Sequence, residues 1–215
     1  MRVEKFTNNI LSSNSYIIHT NSEKNVWVLD PGESEQLLDW INENGKTVKG
    51  ILLTHTHIDH IYGVNDICDN FPELIIYASE FANEGMQSSK SNGSYYLEMP
   101  YVVNHRKIQF VNETSEIHVF CNNIVRVMYT PGHNNDCISF YTDNYLFTGD
   151  ALISGVKPHT KSKKGDKKQA LESIDRIIKQ FDSNTILCPG HKEMILLQEF
   201  DLDKVFQNKL SSQIK

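Results

Sequence analysis

Apolar residues along this chain switch between a period of two and a period near 3.6, and the switches outline its elements. Short strand-like runs fall at 3–6, 14–19, 25–29 and 49–53, the third closing on the turn Asp30-Pro31-Gly32. Leu37, Leu38 and Ile41 put a helical stripe on 33–44, which stops before Gly45. Ile61, Val64, Ile67 and Cys68 predict one helix over 58–68, and a strand at 74–77 and a short helix at 79–86 follow. The segment 87–101 carries several serines, Asn92, Gly93 and Pro100, and reads as an extended loop long enough to suggest a function. Five strand-like runs come next, at 108–111, 117–120, 124–129, 137–142 and 145–148, with Asp143-Asn144 as a hairpin turn between the last two. Leu171, Ile174, Ile177, Ile178 and Phe181 share one face of a helix over 169–181, and 185–188 is a further strand. Met194, Leu196, Leu197, Phe200, Leu202 and Val205 predict a helical piece after it.

Strands and helices in this mixture, without an internal repeat or a long linker, predict a single domain over 1–215. A hydrophobic share of 39% is enough for a sizeable core, which excludes global disorder. The formal net charge of −6 lacks the basic surplus of a nucleic-acid binder, so no nucleic-acid partner is expected. Lys157, Lys161, Lys163, Lys164, Lys167 and Lys168 read as a solvated loop and helix start. No apolar run approaches a membrane span, and the first residues lack a signal-peptide core, so a cytoplasmic protein with no membrane partner is expected. Cys68, Cys121, Cys137 and Cys188 form no CxxC pair and read as small buried hydrophobes.

The chemistry concentrates in Thr54-His55-Thr56-His57-Ile58-Asp59-His60, where three imidazoles and a carboxylate fall within six residues. The segment follows an apolar run, so these side chains gather where a strand ends. In an extended stretch His55 and His57 point the same way and can share one metal. Asp59 and His60 then open a helix and can face a second. His133 in Thr130-Pro131-Gly132-His133 and His191 in Pro189-Gly190-His191 are projected from strand ends by glycine turns. Asp150 ends Leu146-Phe147-Thr148-Gly149-Asp150 and offers oxygen to bridge both ions. Unpaired, so many titratable groups in one place would be costly to desolvate. Imidazole and carboxylate suit zinc, iron or manganese. His19, His105 and His118 read as ordinary surface or sheet residues, whereas His159 follows Asp150 closely enough to reach the site.

Those motifs, in that order, resemble the metallo-β-lactamase superfold of hydrolases, and the resemblance runs from Asn14 to His191. It implies an α+β architecture, a four-layer αββα sandwich. By position it implies that His55, His57 and His133 hold a first metal and that Asp59, His60 and His191 hold a second. Asp150 would bridge them, and Asp30 would support the site by orienting ligand imidazoles.

Within the superfold, Phe147-Thr148-Gly149-Asp150-Ala151-Leu152, the 91–96 loop and Leu171-Glu172-Ser173-Ile174 are most similar to short, single-domain glyoxalase II-like thioesterases. That similarity implies a binuclear enzyme, with zinc in first place. It would cleave a small acyl-thioester with a hydroxide shared by the metals, which Asp59 would help orient. Tyr95, Tyr96, Lys157 and His159 are then candidates for substrate contact. Full-length glyoxalase II has a further helical domain that grips glutathione. About two dozen residues follow His191, so that domain is expected to be missing. Two same-fold alternatives stay open: a lactonase or phosphodiesterase, and a mono-iron persulfide dioxygenase. The latter group has a G-R-T-D stretch where this chain reads Gly155-Val156-Lys157-Pro158.

Overall fold

A computed structural model describes residues 1–105, 107–142 and 144–201. Strands β1 (Arg2–Thr7), β2 (Asn14–His19) and β3 (Asn25–Leu29) lead into helix α1 (Glu35–Glu43) and strand β4 (Thr47–Leu52). Helices α2 (Ile58–Ile61) and α3 (Val64–Asn70), strand β5 (Ile75–Ala78), helix α4 (Ala82–Gln87) and strand β6 (Ile108–Phe110) complete the first half. The second half holds β7 (Glu116–Phe120), β8 (Asn123–Tyr129), β9 (Ile138–Tyr141), β10 (Tyr145–Gly149), α5 (Lys167–Gln180), β11 (Ile186–Pro189) and β12 (Ile195–Leu196).

Each half makes its own six-stranded sheet with neighbours in sequence order, β1 to β6 in one and β7 to β12 in the other. The period-two alternation explains how the sheets stack. On β2, Tyr16 and Ile18 face the other sheet, while Ile17 faces the helices. A central layer of apolar side chains, including Trp27, Leu52, Phe140 and Phe147, therefore lies between the sheets. A second layer, with Val28, Ile51 and Ile76, is covered by α1, α3 and α4. A third, with Leu146 and Leu187, is covered by Ile174 and Ile177 of α5. The result is the expected αββα sandwich. Trp27 donates its indole N–H to the Val119 carbonyl at 3.0 Å, a polar tie across the central layer.

Topology then decides where chemistry can sit. β3, β4 and β5 run parallel, joined by helical crossovers, so their C-terminal ends lie on one edge. β10 and β11 are also parallel, and β9 is antiparallel to β10. The β8–β9 loop therefore lies on the same edge as the ends of β10 and β11. Two backbone bonds hold the sheets together there: Ile138 N–H to Thr54 O at 2.9 Å and Asn14 N–H to Gly190 O at 2.7 Å.

Some expectations need correction. The single helix over 58–68 is two, α2 and α3. It breaks because Gly63 presses against the turn after β3, donating its N–H to Pro31 O at 2.8 Å. A Cβ at Gly63 would stand 2.7 Å from the Glu33 carbonyl carbon. The tail after Glu193 is a short strand pairing with β11, then a 3-10 turn over Leu197–Glu199, because the edge of β11 is open for pairing. Leu202, Val205 and Asp143 lie outside the described residues. Cys68, Cys137 and Cys188 are buried, but Cys121 is exposed, since it sits in the tight turn between β7 and β8. Among the described residues no helix is long and apolar enough to cross a membrane.

Phe147 is fully buried and meets Tyr16 of the opposite sheet edge-on, ring centroids 5.5 Å apart. Phe147→Ala should therefore lower the unfolding free energy by about 3–5 kcal/mol, read as a reduced urea midpoint at an unchanged slope.

Candidate metal centre

Beyond Leu52 the chain continues extended to His57, which caps α2 with backbone angles φ −65 and ψ 148. His55 and His57 thus project to one side, and Asp59 and His60 follow in the first helical turn. His133 comes from the β8–β9 loop, and its ring lies 5.1 Å from that of His55 and 4.7 Å from that of His57. Gly132 makes this turn at φ 133, and a Cβ there would meet the start of α5. Gly149 (φ 49) and Gly190 bring the ends of β10 and β11 up against the same point, delivering Asp150 and His191.

The side chains form two groups around one carboxylate. Ligand atoms of His55, His57 and His133 lie within 4.8 Å of one another, and so do those of Asp59, His60 and His191. Asp150 faces both groups. Its Oδ1 is 3.5 Å from His60 Nε2 and from His191 Nε2, and its Oδ2 is 3.5 Å from His133 Nε2. Asp59 Oδ2 is 3.5 Å from His60 Nε2 and 3.4 Å from His191 Nε2. Two donors on a tetrahedral zinc, each at about 2.0–2.1 Å, stand roughly 3.3–3.4 Å apart. The spacing suits atoms that share a cation better than atoms that share a proton.

Unpartnered atoms give the test of fit. His55 Nε2, His60 Nε2 and Asp150 Oδ1 are buried and find no hydrogen-bond partner among the described residues. Burying such groups without compensation is costly. All three belong to these groups, and a divalent cation would satisfy them.

In four of the five rings the opposite atom is tied to oxygen. Nδ1 of His55 meets Thr54 Oγ1 at 3.1 Å, and Nδ1 of His60 meets Asp30 Oδ2 at 3.2 Å. Nδ1 of His133 meets the His159 carbonyl at 2.8 Å, and Nδ1 of His191 meets the Ser12 carbonyl at 3.1 Å. Each contact fixes a ring and turns its Nε2 inward. His57 is the exception: its Nδ1 lies 2.8 Å from His133 Nε2, so Nδ1 is its inward atom.

Asp30 is near enough to His55 and His60 to count as a third candidate group, but both its oxygens are occupied. Oδ1 accepts the Thr54 N–H at 2.7 Å, and Oδ2 accepts the Thr54 hydroxyl at 2.5 Å. Its place after β3 and its own φ of 47 set the carboxylate against the His60 ring.

The protonation pattern follows from burial and charge. Burial, helped by neighbouring imidazoles, pushes His55 down, brings His57 to about 4 and lowers His133. These rings are neutral and ready to ligate. Burial also opposes charge on His60 and His191, but Asp59 and Asp150 outweigh it, holding His60 well above its usual value and His191 at about 9. Against burial, His60 and His191 in turn hold Asp59 and Asp150 low.

A cavity of about 560 Å³ opens from His133, Asp150 and His191. Lys157 and His159 line it, as do Leu11, Ile153 and Val156. Tyr95 and Tyr96 line a separate surface hollow with Lys90, whose ammonium sits 5.4 Å from the Tyr95 ring centre. His159 reaches the site mainly through its carbonyl.

Several supports carried no signal in the sequence. Ser12 presents its carbonyl from two successive left-handed residues, Leu11 and Ser12. Asn14 and Tyr16 donate to the Pro189 carbonyl, steadying the turn that carries His191. Buried Asn92, in the 87–101 loop, offers its carbonyl to Ile58 N–H at 2.9 Å and so braces the start of α2.

A family profile for the metallo-beta-lactamase superfamily matches residues 8–191, and the chain belongs to that superfamily. Its members bind divalent metals, which agrees with the clusters described above. The chain is 33% identical over 190 residues to a hydroxyacylglutathione hydrolase of Photorhabdus laumondii, covering 88% of this chain and 66% of the relative. It is 31% identical over 184 residues to a hydroxyacylglutathione hydrolase of Buchnera aphidicola from Schizaphis graminum, covering 85% and 64%. It thus spans just under two thirds of the length of these relatives. Among solved structures, the BLEG-1 B3 metallo-beta-lactamase superposes with a TM-score of 0.84 at 25% identity, covering 92% of this chain and 95% of the other. ETHE1 from Myxococcus xanthus gives 0.71 at 22% identity, covering 93% and 81%.

A ligating imidazole must be neutral, so metal uptake should displace protons from His60 and His191. At pH 7 both rings are protonated in the metal-free chain, since His191 titrates at about 9 and His60 is also raised. Titrating metal by calorimetry in two buffers of different ionisation enthalpy should show net proton release at pH 7. The release should shrink as the pH rises past 9.

Proposed function

We propose that this chain is a metal-dependent hydrolase that cleaves small acyl thioesters, in the manner of glyoxalase II. The observation that carries this reading is the convergence of three buried, unpartnered donor atoms within a set of seven histidines and aspartates. In this reading His55, His57 and His133 hold one cation, Asp59, His60 and His191 hold the other, and Asp150 serves both. Two divalent cations, zinc by preference, would polarise a substrate carbonyl and make water nucleophilic near neutral pH.

The remaining work falls to the chain. Asp59, a carboxylate beside His60 and His191, accepts a hydrogen bond from the attacking water and orients it. The Nδ1 contacts to Thr54, Asp30, His159 and Ser12 keep the imidazoles from turning as charge develops. The cavity receives the thiol carrier along Ile153, Val156 and Lys157. A thiol leaves readily as its anion, because its pKa is only about 8.5. The site therefore needs no dedicated acid to protonate it. The hydroxyacylglutathione hydrolases at 31–33% identity support the thioester as first substrate class.

A second reading, β-lactam hydrolysis, is favoured by the BLEG-1 neighbour, 95% of whose length is covered. Both readings meet in one experiment. Metal content of the purified protein is measured first, and turnover is then compared on thioesters, lactones, phosphodiesters and a β-lactam. Close to two zinc per chain with preferred thioester turnover is the expected result. One iron per chain with oxygen uptake on glutathione persulfide would replace the hydrolase with a dioxygenase.

His133→Ala and Asp59→Ala should each lower kcat/KM by more than the roughly 10- to 100-fold typical of outer partners. Metal should be lost with it, and far-UV circular dichroism should be unchanged. Full turnover in either variant would sink the assignment.

A further inference from the structure

The Thr-His-Thr-His alternation has two sides, and the histidine side carries the candidate ligand atoms. In extended backbone the threonines point the other way. Each is gripped by a buried carboxylate. Thr54 gives its N–H and hydroxyl to Asp30, at 2.7 and 2.5 Å. Thr56 gives its N–H to Asp136 Oδ2 at 3.0 Å, and its hydroxyl donates to the same oxygen.

Asp30 comes from the first sheet and Asp136 from the second. Asp136 is 2% exposed and stands three residues after His133, in the loop between β8 and β9. Ser79 Oγ donates to its main-chain carbonyl at 2.8 Å, which fixes the loop from behind. Gly85 of α4 packs directly over Thr56, where a Cβ would collide with the Thr56 hydroxyl. The Thr56 side chain therefore has little room to turn to another acceptor.

We propose that Asp136 is a positioning residue for the metal group of His55, His57 and His133. This rests on the functional reading above and extends it. Thr56 lies between two of these imidazoles, and Asp136 is on the loop that carries the third. One carboxylate thus ties together both segments that bring His57 Nδ1 and His133 Nε2 to 2.8 Å. Without it, the Thr56 N–H and hydroxyl are left buried with no acceptor, and the segment must shift to find one. The Asp59, His60 and His191 group is anchored elsewhere, on Asp30 and the Ser12 carbonyl, and does not depend on Asp136.

The test is zinc affinity of the full chain, by competition with a chromophoric chelator, resolved into two stepwise constants. His133→Ala identifies which constant belongs to the first group. Asp136→Ala should weaken that constant by about 10- to 100-fold and leave the other within about twofold. Asp136→Asn keeps an oxygen acceptor and should restore most of the loss. Thr56→Val keeps the amide donor and should give a smaller loss, and it stands in should Asp136→Ala fail to fold. If both constants of the variants match wild type, or both fall together, Asp136 is only part of the general packing and the inference is overturned. A wild-type chain that takes up no zinc would overturn the functional reading and this inference with it.

Discussion

Burying five imidazoles and three carboxylates in one place is the constraint that the rest of this structure answers. Each ionised or hydrogen-bonding atom removed from water needs a partner. The solution, in every ring but His57, is a division of labour. One nitrogen is satisfied by a fixed oxygen of the protein, and the other is turned to a common centre. Asp30 shows how far this goes. It is wholly buried, and burial pushes its carboxyl up, yet three donors from Thr54 and His60 surround it.

That division needs oxygens at defined places, and the sandwich provides them. Parallel strands end together, so the turns after β3, β4, β10 and β11 meet without long excursions. Backbone carbonyls of Ser12 and His159 then orient two of the imidazoles, as the side chains of Thr54 and Asp30 orient two others. Strain is accepted where it positions such groups, as at the left-handed Leu11, Ser12 and Asp30.

Much of this was legible in the sequence because chemistry and periodicity coincide there. Strand runs such as 14–19 and 25–29 were read with their observed ends, since alternation and turn residues agree. The histidine and aspartate positions stood out because each follows a strand and several follow glycine. The break at Gly63 was not legible, because it comes from packing against a turn some thirty residues earlier. The strand at Ile195–Leu196 has no sequence signal for a similar reason: two residues carry no period, and only the open edge of β11 makes them a strand. Ser12 acts through its carbonyl, which every residue has, so its residue type gives no sign of it; His159 stood out for its ring, whereas its contact with His133 is through its carbonyl. Asp136 stands in a polar loop eighty residues from Thr56, and only the fold brings the two together.

The strand order gives the site one further property. Each sheet is drawn from one half of the chain, so the two halves meet mainly through the apolar central layer. Yet each metal group takes two members from the first half and one from the second: His55 and His57 with His133, Asp59 and His60 with His191. A cation held by either group would act as a removable cross-link between halves, adding its binding free energy to their association. The candidate metal centre and the seam of the molecule are then one place, and metal supply would govern how firmly the seam is closed.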